Sequence, residues 1–354
     1  MKSKKFRANL ITYAIVIAAF IACQVLISTG VMTRSLKGQL VPICAYIVMA
    51  ISLNLTVGIS GELSLGHAGF MSVGAFSGIV MSMWLSKGMG LDNKTVVLLL
   101  AIITGGVAAG IAGVLLGIPV LRLRGDYLAI VTLAFGEIIR NVINCLYISL
   151  DGSELHVAFN NPNVAGKLLI NGPAGATGVS KIATFGMGFA LVLFTLFVVL
   201  NLIDSRSGRA IMAIRDNRIA AEAMGLNVTK YKMMAFVTSA VLAGMAGALY
   251  GLNFSTVAAS KFKFDTSILV LVFVVLGGIG SLRGSVIAAT VLTVLPELLR
   301  SMNDYRMLIY AIVLIVVMIF NQSPQMIALR KRLTARFRKE GTDTKAAKEK
   351  KGVA

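Results

Sequence analysis

Residues 96–118 read VVLLLAIITGGVAAGIAGVLLGI, an apolar run without a single charged residue. A helix needs about 20 mostly apolar residues to cross the hydrocarbon core of a bilayer, so this run predicts a membrane-spanning helix. Nine further apolar runs fill most of the 354 residues, and 57% of the chain is hydrophobic. The sequence therefore predicts an all-α polytopic membrane protein with about ten transmembrane helices, some of them broken or re-entrant. The predicted spans are 10–28, 40–57, 65–85, 96–118, 127–149, 184–204, 233–253, 265–281, 285–301 and 306–321.

The basic residues collect on alternate connecting segments. Of the 34 Lys and Arg residues, 23 lie on the two ends and every second loop, and 10 lie on the other loops. Cytoplasmic loops of membrane proteins carry an excess of Lys and Arg, so both termini are predicted to be cytoplasmic. The net charge of +19 then reflects membrane topology, and we expect no nucleic-acid partner.

Residues 1–321 are predicted to form one transmembrane domain. Its longest connections are an outer loop, 150–183, rich in turn residues, and an inner loop, 205–232. The basic tail 322–354 is predicted to be disordered and to contact anionic lipid headgroups. These segments are all too short for a soluble catalytic domain, and no catalytic residue is predicted.

Neither cysteine nor histidine suggests a metal site. Cys23, Cys44 and Cys145 are scattered over apolar spans, which is typical of small core residues. His67 and His156 have no partners at ligand spacing.

Two spans carry small residues at every fourth position. Such stripes let helices approach closely, so they predict a tightly packed bundle. The stripes are Gly105, Ala109, Gly113 and Gly117 in one span, and Ala240, Gly244 and Ala248 in the other.

The segment Gly58–Gly69, GISGELSLGHAG, interrupts the apolar pattern between the second and third spans. Broken backbone at membrane depth is tolerated where it is buried or lines a cavity, and half-helix N-termini attract carboxylates. One interpretation is thus an element of a translocation pathway or gate; the other is an ordinary turn at the cytoplasmic surface with a solvated Glu62. A second glycine cluster, Gly277–Gly284, admits the same two interpretations. The candidate pathway residues are Gly58, Gly61, Glu62, Ser64, Gly66, His67 and Gly69.

The fifth span contains Glu137 and Arg140, three residues apart on one helical face, where they can form an ion pair. Charges at this depth usually face a bundle interior or water. They are predicted either to lock helices together or to line the pathway as a gate.

The inner loop contains a short amphipathic helix from Arg218 to Met224. Asn217 is a suitable N-cap, and Gly225 stands where a left-handed C-cap residue is favoured. Such a helix suits either a groove on a soluble partner or the lipid interface.

Several motifs in one order resemble the M-type permease subunit of the Liv family of branched-chain amino acid ABC importers. The resemblance covers roughly residues 40–321. The motifs are GELSLGHAGF (61–70), LRLRGDYLAI (121–130) with FGEIIR (135–140), GRA (208–210) with IAAEAMG (219–225), VLGGIGS (275–281) and LPELLR (295–300).

This resemblance implies a bacterial plasma-membrane protein that pairs with a homologous second permease, two cytoplasmic ATPase subunits and an extracytoplasmic substrate-binding protein. ATP and Mg²⁺ would bind to the ATPases, and this chain, which has no phosphate-binding loop motif, would bind no cofactor. The inner loop would dock on an ATPase. The candidate docking residues are Arg209, Arg215, Arg218, Glu222, Ala223 and Gly225.

Other functions fit the sequence less well. In an ion- or proton-coupled secondary transporter, Glu62, Glu137 and Glu297 would be the coupling groups. Related ABC permeases transport urea or short amides. A membrane-embedded enzyme would need a nucleophile–base or metal constellation, which the sequence does not suggest.

Overall fold

The computed structural model describes residues 2–29, 34–123, 125–151, 154–161, 166–299 and 305–322. The chain divides into two compact units, residues 1–297 and 298–354. Apart from Gln322, the basic tail 322–354 lies outside the described residues.

Every predicted span coincides with a helix, and the prediction of a polytopic α-helical membrane protein is confirmed. Six of the described helical segments are long and apolar enough to cross a membrane, and shorter apolar helices accompany them. The helices are α1 (Lys2–Ser28), α2 (Arg34–Asn54), α3 (His67–Met83), α4 (Lys94–Val120), α5 (Asp126–Asn144), α6 (Phe185–Asp204), α7 (Arg206–Asp216), α8 (Arg218–Ala223), α9 (Val228–Gly251), α10 (Phe264–Gly277), α11 (Leu282–Leu298) and α12 (Arg306–Gln322).

Two spans end at least four residues earlier than predicted. The fifth span was expected to continue to residue 149, but α5 ends at Asn144 and a β-strand begins at Leu146. The eighth was expected to reach residue 281, but α10 ends at Gly277 because Gly278 adopts a φ of 94°. At 1.5 Å per residue, the 14 residues of α10 extend about 21 Å, short of a full bilayer crossing.

The outer loop forms most of a five-stranded antiparallel sheet, where the sequence suggested mainly turns. The strand order is β2-β1-β3-β4-β5. The last strand comes from the connection between α9 and α10, so the sheet joins two distant parts of the chain. The strands are β1 (Leu146–Asp151), β2 (Glu154–Phe159), β3 (Lys167–Asn171), β4 (Ala176–Thr177) and β5 (Thr256–Val257).

Helices α3, α4 and α9 form the core of the bundle, and the two predicted small-residue stripes face each other there. A methyl group built on Gly244 of α9 would lie 2.3 Å from the Cβ of Ala109 of α4, and 2.5 Å from the Gly105 carbonyl oxygen. The stripes therefore pack against each other in antiparallel register, backbone against backbone, and the predicted close approach of helices is confirmed. Gly74 of α3 completes the contact, since a Cβ there would lie 2.1 Å from the Gly244 carbonyl oxygen.

Replacing Gly244 by Leu should therefore prevent the three helices from packing. Overpacking a tight core costs about 1–3 kcal/mol, and more where backbone would have to move, as here. We expect the variant to lose its cooperative thermal transition in detergent. Gly186→Ala in α6 is the matched control, because nothing lies within 4 Å of its Cβ position. Equal thermal stability of the two variants would contradict the packing described here.

Candidate functional site

The connection between α2 and α3 is broken backbone, as the glycine-rich segment predicted. Helix α2 ends at Asn54 and continues as a wider π-helical turn, Leu55–Ile59. Residues 60–66 then have no regular structure, and α3 begins at His67. We call residues 55–66 the first break, and residues 277–284, between α10 and α11, the second break.

The two breaks meet through the buried side chain of Asn54. Its Nδ2 donates to Ser285 Oγ at 2.8 Å, and its Oδ1 accepts from the Gly280 amide at 2.8 Å. A Cβ at Gly58 would lie 1.9 Å from Asn54 Oδ1 and 2.4 Å from the Gly280 nitrogen. Glycine at position 58 is therefore required for this contact, and the amide side chain at the end of α2 binds both the second break and α11.

The first break also contacts the inner loop. Nη1 of Arg215, near the end of α7, donates to the Gly58 carbonyl at 2.8 Å. The Arg215 side chain packs on Gly61, where a Cβ would lie 2.6 Å from Arg215 Cγ. Glu62 forms an ion pair with Lys232 of α9, and both side chains are largely buried, at 13% and 12% exposure. Glu62 is thus held by a cation rather than solvated.

The start of α3 is enclosed by α5 and α10. A Cβ at Gly66 would lie 2.0 Å from the Thr132 carbonyl, and one at Gly69 would lie 2.9 Å from Gly136 Cα, so α5 packs closely here. The Ala68 amide donates to Ser267 Oγ of α10 at 3.0 Å. These contacts occupy the N-terminus of α3 with groups of the protein itself.

Four buried polar side chains accompany this junction. Nε2 of His67 and Oγ of Ser52 are hydrogen-bonded at 2.8 Å, and Ser239 Oγ donates to the Ser52 carbonyl at 2.6 Å. The Ser64 hydroxyl is buried and has no hydrogen-bond partner among the described residues. Of the predicted pathway residues in the break, Ser64 alone therefore keeps an unused buried polar group.

Glu137 and Arg140 form the predicted ion pair, with Arg140 Nε donating to Glu137 Oε2 at 2.6 Å. Gly136 faces the first break, and Glu137 is turned about 100° away from it around the helix. The two side chains are 33% and 25% exposed, on a face of α5 that the described part of the chain covers only in part. The structure therefore does not bring Glu137 to the first break.

The inner loop folds as predicted around a capped helix. The Asn217 side chain accepts from the Ala220 amide at 3.0 Å, and Gly225 adopts a φ of 79°. Arg218 and Glu222 pair across one turn at 2.8 Å. Only Ala221 of α8 is buried, against Ile214 of α7 and Val228 of α9. Ile219 of α8 and Met224, directly after its end, are exposed, at 80% and 83%.

Comparison with known proteins identifies the family. The family described as branched-chain amino acid transport system / permease component matches residues 35–318. The chain belongs to this family.

The permease protein LivM of the high-affinity branched-chain amino acid transport system of Salmonella typhimurium is 35% identical over 309 residues. The same protein of Escherichia coli is 34% identical. Each match covers 78% of this chain and 66% of the relative, just under two thirds of its length. The permease protein LivH of S. typhimurium is 25% identical over 72% of this chain and 81% of its own length. No solved structure matches this chain significantly.

The remaining predicted docking residues lie on the exposed surface of the inner loop. Arg209 donates to the Asp204 carbonyl at 3.3 Å, and Ala223 and Gly225 are exposed at the end of α8. Arg215 differs, because its side chain reaches the first break. Sequence reasoning missed Asn54 and Lys232, whose partners lie 226 and 170 residues away. An amide in the otherwise apolar run 40–57 was the one available signal for Asn54.

Arg140→Leu should destabilise the protein by leaving the Glu137 carboxylate unpaired within a membrane span. Because the pair is part-exposed, we expect the free energy of unfolding to fall by about 1–3 kcal/mol, between the values for exposed and buried pairs. The double variant Glu137→Leu/Arg140→Leu should recover most of it. Unfolding in mixed detergent micelles measures the stability of the single and of the double variant. Arg218→Leu, which breaks an exposed pair, is the control and should cost less than about 1 kcal/mol; a double variant less stable than Arg140→Leu would refute the pairing argument.

Proposed function

We propose that this chain is a transmembrane permease subunit of an ATP-driven importer that moves branched-chain or related amino acids into a bacterial cytoplasm. Its partners would be a homologous second permease, two cytoplasmic ATPases and an extracytoplasmic binding protein. Both termini would be cytoplasmic, and nucleotide would bind to the ATPases alone. The observation that carries this proposal is the pair of exposed apolar side chains, Ile219 and Met224, at α8, which lies between two helices that bind the first break.

The α8 surface has the character of a protein-docking site. Ile219 and Met224 together present two large apolar side chains to solvent, outside the membrane spans. Exposed apolar side chains grouped on a polar surface commonly mark interaction sites. A short helix offered in this way fits a groove on a soluble partner. The buried Ala221 anchors α8 to α7 and α9, so a force on α8 reaches the bundle.

A lipid-bound role explains α8 less well. Helices that lie in the membrane interface usually combine a long apolar face with a Lys- and Arg-rich polar face. The six residues of α8 carry only one cation, Arg218, and it is paired with Glu222. Neither extended burial in lipid nor attraction to anionic headgroups is available to this helix alone.

The exposed face of α5 supports a second membrane subunit. Helix α5 is the least buried of the six long apolar helices, yet it carries the Glu137–Arg140 pair. Charged groups at membrane depth normally face protein or a water-filled cavity. A second permease packed on this face would supply that environment. The relatives LivM and LivH are both named as permease proteins of the high-affinity branched-chain system of S. typhimurium.

The carboxylates favour an external energy source over ion coupling. A proton-coupled transporter needs a carboxylate that gains and loses a proton during transport. Glu62 and Glu137 are each paired with a cation, Lys232 and Arg140, and Glu297 accepts a hydrogen bond from Ser35. Each of these carboxylates is thus engaged by a partner within the chain, which favours ATP hydrolysis in partner subunits as the energy source.

Reconstitution tests the proposed function directly. The chain is co-expressed with candidate second-permease, ATPase and binding-protein genes of the same genome, purified through one tag and placed in vesicles. We expect uptake of radiolabelled leucine, isoleucine or valine that requires both ATP and the binding protein. Competition with unlabelled urea or acetamide distinguishes the amide-transporting alternative. Uptake by this chain alone on a proton or sodium gradient would overturn the proposal.

Substituting Ile219 or Met224 by Asp should remove the ATPase subunits from the purified complex. A buried charge at the centre of an interface usually lowers affinity by 2 kcal/mol or more, about 30-fold. The loss of bound ATPase is measured by co-purification with the permease and ATPase subunits at near-stoichiometric concentrations. Val157→Asp, which alters an equally apolar exposed position on β2 of the outer sheet, is the control and should retain the ATPases. Full retention by both α8 variants would exclude α8 as the docking helix.

A further inference from the structure

We propose that Arg215 and Lys232 form a clamp through which movement of the docking helix α8 is transmitted to the first break. The inference rests on the proposed function. Arg215 binds the Gly58 carbonyl and Lys232 binds the Glu62 carboxylate, so two cations hold the same short segment at points four residues apart.

Both cations belong to the part of the chain that carries α8. Arg215 is the tenth of the eleven residues of α7, immediately before α8, and Lys232 lies in the second turn of α9, immediately after it. Ile214, Ala221 and Val228 from these three helices pack into one small buried cluster. A displacement of α8 by a docked partner therefore moves Arg215 and Lys232 together.

The segment that they hold has little rigidity of its own. Residues 60–66 lie outside any regular element, and Gly61 adopts a φ of 75°. Few backbone hydrogen bonds fix this segment: the Ser60 amide donates to Leu55 and the Glu62 amide to Thr56. Its position consequently depends on the side chains that bind it, which are the two cations of the clamp and, near its end, Thr132 of α5, whose Oγ1 accepts from the Leu65 amide at 3.0 Å.

The held segment is connected in turn to the second break. Gly58 packs against Gly280, and Asn54 hydrogen-bonds the Gly280 amide and Ser285. At its other end, the first break leads into α3, which contacts α5 at Gly66 and Gly69. Movement of the clamp would thus reach the first turn of α3, together with α5, α10 and α11, while the contact of Gly74, Gly105 and Gly244 further along the core helices stays packed. In this reading Glu62 is a positioning residue of the transport cycle, and it is not a ligand for the solute.

Charge reversal tests the clamp in the reconstituted complex. The variants are Glu62→Lys, Lys232→Glu and the double variant, in which the ion pair is restored with opposite polarity. The readout is the amount of amino acid taken up per ATP hydrolysed. We expect each single variant to lower this ratio about tenfold, a typical allosteric coupling, and the double variant to recover most of it. A purely structural pair would alter yield and thermal stability while the folded complex kept its ratio.

Arg215→Met provides a second arm that does not depend on a buried charge. Its side chain is 37% exposed, so the variant should fold, and it keeps the aliphatic contact with Gly61 while losing the bond to Gly58. We expect a lowered ratio of uptake to hydrolysis with the ATPases still bound. Lys230→Met removes an exposed cation of the same helix as Lys232 and should leave the ratio unchanged.

The outcomes separate the clamp from the proposed function. If the unmodified complex shows no ATP-dependent uptake, the proposed function itself fails. Suppose that the unmodified complex and Lys230→Met transport normally. The clamp is then overturned if Arg215→Met takes up as much amino acid per ATP hydrolysed as the unmodified complex. A folded double variant that is as uncoupled as its single parents overturns it as well. If the reversed-charge variants do not fold, Arg215→Met decides alone.

Discussion

The close approach of α3, α4 and α9 is the constraint on which the rest of the structure depends. Lipid tails are as apolar as the helix surfaces, so association within a membrane relies on van der Waals packing and interhelical contacts more than on the hydrophobic effect. Gly74, Gly105, Ala109 and Gly244 bring the three backbones together with no side chain between them. This contact fixes how α3 and α9 lie against each other. The ends of the two helices then define the space that the first break must occupy.

Irregular backbone is possible beside this core because side chains satisfy its polar groups. In a membrane an unsatisfied amide or carbonyl costs several kcal/mol, which excludes lipid-exposed breaks. Arg215 binds the Gly58 carbonyl, Asn54 binds the Gly280 amide, and Ser267 binds the Ala68 amide. Each donor or acceptor comes from a different helix. The breaks are therefore held in place by their neighbours, and a change in one neighbour can move them while the core stays packed.

Sequence reasoning succeeded where the determining interactions are local. The spans follow from apolar length, the stripes from four-residue periodicity, the Glu137–Arg140 pair from helical spacing, and the α8 caps from the residues Asn217 and Gly225. It failed where partners are distant in the chain. The contact between the two glycine breaks and the partner of Glu62 depend on how α2, α9 and α11 pack, which no short pattern encodes. The sheet was missed because its strands are short and one, Thr256–Val257, comes from another loop.

The ion pairs Glu137–Arg140 and Glu62–Lys232 differ in a way that bears on mechanism. Glu137 and Arg140 are neighbours on one helix, so their pairing survives any rigid movement of α5. Glu62 and Lys232 belong to different elements, and their separation changes whenever α9 and the first break move relative to each other. Because breaking a largely buried pair is costly, such a contact favours discrete arrangements over continuous deformation. The Glu137–Arg140 pair, within one helix, can thus persist in a polar environment at membrane depth. The Glu62–Lys232 pair, between two elements, can distinguish one conformation of the bundle from another.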